Sequence, residues 1–380
     1  MFTPNIPRKE KEMLARPQEV VKGVSMPFWP VLYRGADPFG QAVVPEMSSL
    51  EACRLLCRAK KEGLITHTSF HDEDLIPWDP NALMDVAADP KCKAAETLQE
   101  IKAMFDEAGL KVNTATCNLH ANPLFRRGGL TNPDPKIRGL ARLKVERTLY
   151  IGNLLGAQYF TYWVARDGFE VAWKVSWEEV YGWIIGALDH VYDYILANRL
   201  SYSGGTIEPK PNEPRGHMFI PTAGHAVGLI SALKQPSFWG VNPELRQHEG
   251  MTLLDPITCL AYLLSLKKLF FLHFGNQING QFDNDFVPFT GPEGDKETIQ
   301  MFWLLQQFGW QGIIEFDCHA FRCELDPEHP LENKRQFIIN CRQALDMVLR
   351  IAERARTDNL PDGESAADLA MAKRLYVLPE

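Results

Sequence analysis

The sequence predicts an α/β fold, a (β/α)8 TIM barrel. Three observations carry the prediction: eight short apolar, β-branched or aromatic runs, eight longer segments of helical spacing that alternate with them, and the lack of a Gly-rich phosphate loop after any run. Strands alternating with helices imply parallel pairing through helical crossovers. A count of eight favours closure over an open doubly wound sheet, which would carry a glycine fingerprint after its first strand.

Taken in order, the first strand falls within 24–32 (VSMPFWPVL), before a helical segment at 48–62 (SSLEACRLLCRAKKE). The second strand, 66–70 (THTSF), precedes the helix 93–108, and the third, 112–116 (VNTAT), precedes 136–156. The fourth, 158–164 (QYFTYWV), leads to the helix 176–199, and the fifth, 204–208 (GGTIE), to 223–233. The sixth, 238–242 (FWGVN), leads to 252–266, the seventh, 269–274 (LFFLHF), to 297–309, and the eighth, 312–317 (GIIEFD), to 332–356. Branched and aromatic residues suit the pleated surface of a strand, whereas the longer segments repeat apolar residues every three or four positions. Residues 1–20 read as an N-terminal arm, 21–356 as the barrel and 357–380 as a short C-terminal tail.

Of the 380 residues, 45% are hydrophobic and 23% charged, the balance of a globular chain. Lys plus Arg number 40 against 48 Asp plus Glu, a net charge of −8 that argues against a nucleic-acid partner. No apolar run approaches the roughly 20 residues that span a bilayer, and the first residues lack the apolar core of a signal peptide, so a cytoplasmic protein with no membrane partner is expected. The eight cysteines include no C-x-x-C pair and are too sparse for a disulfide scaffold. Cys53 with Cys57, or Cys318 with Cys323, lack partner ligands for zinc, and reduced thiols are the default.

In a barrel the chemistry sits at the C-terminal ends of the strands and in the loops that follow. Polar and aromatic residues gather there in this chain: Trp29, the run His71–Asp74, Asn118 with His120, Trp163, Glu208 with Lys210, Glu244 with His248, Asp283 with Asp285, and Asp317 with His319. Glu208 and Lys210 are two apart, so both side chains face the barrel mouth, either as a salt bridge at the rim or as part of a site. Five carboxylates converging with one imidazole would repel one another unless cations compensate them. A carboxylate-rich set with one His suits Mg²⁺ or Mn²⁺ better than zinc or copper, and six ligands suit two divalent cations sharing a bridging Glu. His71 with Asp74 reads as an acid/base pair or as a loop cap. Trp29, Phe39 and Trp163 read as core, or as walls that exclude water and stack on a sugar.

These residues resemble xylose isomerase from about Phe28 to about Arg322. The stretches that carry the resemblance are WPVLYRGADPFG (29–40), SFHDEDLIP (69–77), TATCNLHANPLF (114–125), IEPKPNEPRG (207–216), GHA (224–226), GVNPE (240–244), FDND (282–285) and EFD (315–317). The resemblance implies that Glu208, Glu244 and Asp317 hold a substrate-binding cation, and that Glu244 bridges to a second one held by His248, Asp283 and Asp285. It implies ring opening by His71 with Asp74, a contact from Lys210 to the C1 oxygen, pocket walls at Trp29 and Trp163, and Phe39 reaching a neighbouring subunit's site. The implied reaction is aldose–ketose isomerisation by hydride shift with Mg²⁺, Mn²⁺ or Co²⁺ and no nicotinamide, on a small sugar, in a homodimer or homotetramer.

Four departures stand out. Gly275 replaces a carboxylate of the family's His-x-Asp strand, and one extra residue separates Glu244 from His248. His120, His217 and His319 replace a Phe, an Asp and a Lys near the mouth, and place His120 and His319 with Asn118 among the expected substrate contacts. The C-terminal extension is shorter than the family's long arm. Epimerase or lyase chemistry on a modified sugar, or sugar binding without turnover, are the alternative readings.

Overall fold

Strands form where short apolar runs leave no room for a helical turn. They are β1 (Val21–Ser25), β2 (His67–His71), β3 (Lys111–Thr116), β4 (Tyr159–Trp163), β5 (Gly204–Glu208), β6 (Trp239–Val241), β7 (Leu272–His273) and β8 (Gly312–Glu315). Their helices are α1 (Ser49–Lys61), α2 (Lys93–Ala108), α3 (Pro135–Leu155), α4 (Val180–Ala197), α5 (Ala223–Ser231), α6 (Pro256–Ser265), α7 (Asp295–Phe308) and α8 (Pro330–Thr357). The computed structural model describes residues 14–32, 47–81, 86, 91–288, 295–319 and 329–357. Phe39, most of the expected N-terminal arm and all but Thr357 of the expected tail lie outside the described residues.

The strands pair in parallel in the order β6-β5-β4-β3-β2-β1-β8-β7. A parallel bridge between Val241 and Leu269 joins β6 to the segment leading into β7, which closes the ring as a TIM barrel. Register levels the rim: His71 stands beside Thr116, Trp163 beside Glu208 and Ser25 beside Glu315. The strand ends that carry polar groups therefore meet at one mouth.

Helix boundaries follow their caps. Ser48 and Glu51 form a reciprocal capping box ahead of α1, and Asp134 and Asp255 each accept a backbone N–H ahead of a first-turn proline in α3 and α6. The first strand corrects the sequence reading. It ends at Ser25, and Phe28–Leu32, expected as strand, is a short helix. Pro27 and Pro30 remove ladder donors there, and the turn carries Trp29 to the mouth.

Inside the barrel, polar side chains satisfy one another. Thr114 pairs with Thr161 at 2.7 Å and Thr161 with Thr206 at 2.8 Å, while Glu315 accepts from Ser69 and, at 2.9 Å, from Asn113. The cysteines among the described residues are all free, with Cys318 and Cys341 Sγ 3.6 Å apart in the core. No described helix is long and apolar enough to cross a membrane.

Candidate metal centre

A cleft opens at the C-terminal mouth, and residues at or following the ends of all eight strands line it. Trp29 follows β1, His71 ends β2, Thr116 ends β3 with His120 beyond it, and Trp163 ends β4. Glu208 and Lys210 come from β5, Glu244 and His248 from the loop after β6, Asp283 and Asp285 from the loop after β7, and Asp317 and His319 from the segment after β8.

Among the described residues, three groups of donors stand close enough to hold cations. The first is Glu208, Glu244, Asp317 and His273, all buried. His273 Nδ1 lies 3.0 Å from Asp317 Oδ2, 3.2 Å from Glu244 Oε1 and 3.8 Å from Glu208 Oε2, while its Nε2 faces Glu315 Oε1 at 3.2 Å. Asn242 donates to Glu208 at 2.8 Å, and the Trp29 indole donates to Asp317 at 2.8 Å. The second group is Glu244, His248 and Asp283. His248 Nε2 lies 2.6 Å from Glu244 Oε2 and 3.5 Å from Asp283 Oδ2, which also accepts from Lys210 at 2.7 Å. The third is Asp285, Asp317 and His319, with 3.7 Å between His319 and Asp285.

Crowding sets the electrostatics. Burial, reinforced by Glu244 and Asp317, pushes Glu208 up to about 8, and burial with the nearby carboxylates also raises Glu244 and Asp285. Burial resists charging His273 and His248, but the surrounding carboxylates outweigh it and hold both imidazoles well above their usual range. Burial likewise opposes ionisation of Asp283, yet Lys210 drives it down. Such a nest of oxygen donors with imidazole beside them matches the chemistry that divalent cations demand. Bound cations would replace protons as the compensating charge.

On the opposite wall, Asp74 Oδ2 accepts from the His71 backbone N–H at 2.7 Å and lies 3.3 Å from its Nδ1. Burial would depress the His71 imidazole, but Asp74 raises it on balance. Burial and then the charge of His71 hold His120 well below its usual value. The ring of His71 packs 4.8 Å from Trp29, 5.4 Å from His120 and 6.1 Å from Trp163. Beneath it, Asp72 pairs with Lys144 at 2.8 Å and Arg147 at 3.4 Å, all three fully buried, which fixes the loop that presents His71 and Asp74.

The structure thus brings Trp29, His71, His120, Trp163, Glu208, Lys210, Glu244, His248, Asp283, Asp285, Asp317 and His319 to one cleft, with Asp74 behind His71. Asn118 does not line it; its side-chain oxygen accepts from the backbone of His120 and Ala121, shaping the turn beneath His120. His217 is also elsewhere, exposed on a two-residue ribbon where it stacks on Phe169. Sequence reasoning missed His273 and Glu315 as parts of the centre. Glu315 is two residues before Asp317, a spacing that aims both at one face, whereas His273 lies hidden in an apolar run.

No protein-family model matches the chain. It is 34% identical over 296 residues to the xylose isomerase of Thermus thermophilus, covering 78% of this chain and 72% of the relative. It is 33% identical over the same length, with the same coverage, to the xylose isomerase of Thermus caldophilus. A solved L-ribulose 3-epimerase aligns with a TM-score of 0.58 over 89% of this chain and 99% of that one, and at 13% identity this is a likeness of fold.

Proposed function

Since this chain belongs to the xylose isomerase family, we propose that it is an aldose–ketose isomerase, dependent on divalent cations, that acts on a pentose or hexose. The observation that carries the reading is the position of Glu244. One of its oxygens faces the donor group of Glu208, His273 and Asp317, and the other faces His248, so a single carboxylate belongs to two ligand sets.

Two cations, Mg²⁺ or Mn²⁺ with Co²⁺ as a further candidate, would supply fixed positive charge for the oxygens of an open-chain sugar while hydrogen moves between C1 and C2. Glu208, Glu244, Asp317 and His273 would hold the first, and Glu244, His248, Asp283 and Asp285 the second. His71, oriented by Asp74, moves the proton that opens the sugar ring. Lys210 presents its ammonium to the C1 oxygen. Trp29 and Trp163 form a dry wall against the sugar's C–H face, and His120 and His319 border the same space. No nicotinamide is needed, because hydrogen stays within the substrate.

The test is direct. Protein stripped with a chelator and given back Mg²⁺, Mn²⁺ or Co²⁺ is expected to convert at least one aldose in a pentose and hexose panel to its ketose. No conversion with any cation and any sugar overturns the reading.

A further inference from the structure

The wall of rings across from the cation ligands contains a polar group to which the proposed chemistry gives no task, the imidazole of His120. It is buried and lines the cleft, with its ring 5.0 Å from Trp163 and 5.4 Å from His71, edge to face in both cases. Its backbone is held on both sides. The Asn118 side chain accepts from its N–H at 3.2 Å, and Arg166 Nε donates to its carbonyl oxygen at 2.7 Å. An imidazole fixed in this way is preorganised for whatever it bonds.

Burial, and after it the charge of His71, holds this ring in its uncharged form. A neutral imidazole offers one donor and one acceptor, and so does a hydroxyl group, so the two can bond in either tautomer. An anionic group would call for a charged ring, which burial opposes here. Its place along the sugar follows from its neighbours. In the isomerase reading the cations and Lys210 hold the C1–C2 end, and His71 serves the oxygen that parts from C1 when the ring opens. In a six-membered sugar ring C5 carries that oxygen, and the next atom outward is C6. His120, 5.4 Å from His71 between ring centres, stands within reach of a group on that next carbon. The Trp163 ring is common to both ends of the pocket, 5.9 Å from the Lys210 ammonium and 5.0 Å from His120.

We propose that His120 selects aldohexoses, through a hydrogen bond between its imidazole and the hydroxyl group on C6. The inference rests on the isomerase reading and adds a substrate class to it. A pentose ends at C5, and a 6-deoxyhexose offers a methyl group instead. Either forfeits that bond in a desolvated site, where its loss is felt in full.

The experiment uses the full chain loaded with Mn²⁺ and compares kcat/KM for three sugars. They are the aldohexose turned over fastest in a panel of stereoisomers, its 6-deoxy analogue, and the pentose that lacks C6. The 6-deoxy sugar keeps a carbon at C6, so it separates the bond from the fit. Wild type is expected to favour the hexose over its 6-deoxy analogue by about tenfold to a hundredfold. His120→Phe, which keeps a ring and removes the bond, should bring that ratio close to one, and His120→Gln, which keeps a donor and an acceptor, should retain part of it. A structural role alone would slow all three sugars alike and leave the ratio as in wild type, which overturns the inference and spares the isomerase reading. A wild-type ratio near one, or turnover of pentoses only, overturns it equally. Should His120→Phe fail to fold, His120→Leu is read by the same ratio. A wild-type chain that converts no sugar of the panel with Mg²⁺, Mn²⁺ or Co²⁺ removes the reading and the inference together.

Discussion

Lys210 Nζ lies 2.7 Å from Asp283 Oδ2, and both side chains are buried. The lysine thereby ties a ligand candidate of the second cation to the wall where the sugar's C1 oxygen would sit. Replacing Lys210 with Met removes the ammonium while His248, 3.5 Å from the same oxygen, still faces Asp283. Turnover is expected to fall about 10²–10³-fold, as when one positioned donor to a developing charge is lost. Circular dichroism and ion counting should stay as in wild type. Turnover within a fewfold of wild type would show that Lys210 is only a rim salt bridge.

The His71–Asp74 pair predicts a shift in pH dependence. Asp74 raises the imidazole against the opposing effect of burial, so Asp74→Asn should lower its pKa. If His71 accepts a proton when the cyclic sugar opens, the acid limb of the rate profile moves to lower pH in that variant. The limb is read from initial rates between about pH 4 and 8. A limb that stays in place, or moves up, excludes His71 as the titrating group.

His273 and Glu315 form a second testable pair. Glu315 Oε1 faces His273 Nε2 at 3.2 Å, which leaves Nδ1 toward Glu208, Glu244 and Asp317. Carboxylates that orient a metal-binding imidazole typically contribute 10–100-fold to affinity. Glu315→Gln is therefore expected to weaken cation binding by about that factor at one site, measured by competition with a fluorescent chelator. Affinity unchanged at both sites would make His273 a bystander.

Without cations, the centre should make the protein less stable as pH rises. Glu208 titrates near 8 in the fold against an ordinary value of 4.5, and Glu244, Asp285, His248 and His273 are raised as well. Groups raised in the folded state bind protons more tightly there, so their stabilisation is complete below the unfolded value and is lost on passing through the folded one. The Tm of chelated protein should fall by several degrees between about pH 4.5 and 8, and Mn²⁺ should reverse the fall by displacing those protons. A chelated Tm that is flat or rises over that window contradicts this electrostatic account.

Much of the barrel was legible because runs such as QYFTYWV and LFFLHF have one stable use, a strand buried on both faces. The carboxylates at strand ends were equally visible, since Asp and Glu after an apolar run are costly unless something compensates them. Other features depended on neighbours that no local pattern reveals. His273 sits between Leu272 and Phe274 and reads as part of an apolar strand until β8 brings Glu315 and Asp317 against it. The Phe28–Leu32 turn continued an apolar run that only its prolines interrupt. Asn118 and His217 lie near site residues in sequence, yet one serves a turn and the other a surface ribbon.

The most direct measurement follows one hydrogen atom. An aldose deuterated at C2 is incubated in ordinary water with chelated protein, and then again after Mn²⁺ is restored, with the product read by NMR. The account predicts no ketose before the cation returns, and afterwards a ketose that carries the deuterium at C1. Deuterium lost to solvent would assign the centre to proton transfer of the epimerase kind, and no ketose from any labelled pentose or hexose would contradict an isomerase outright.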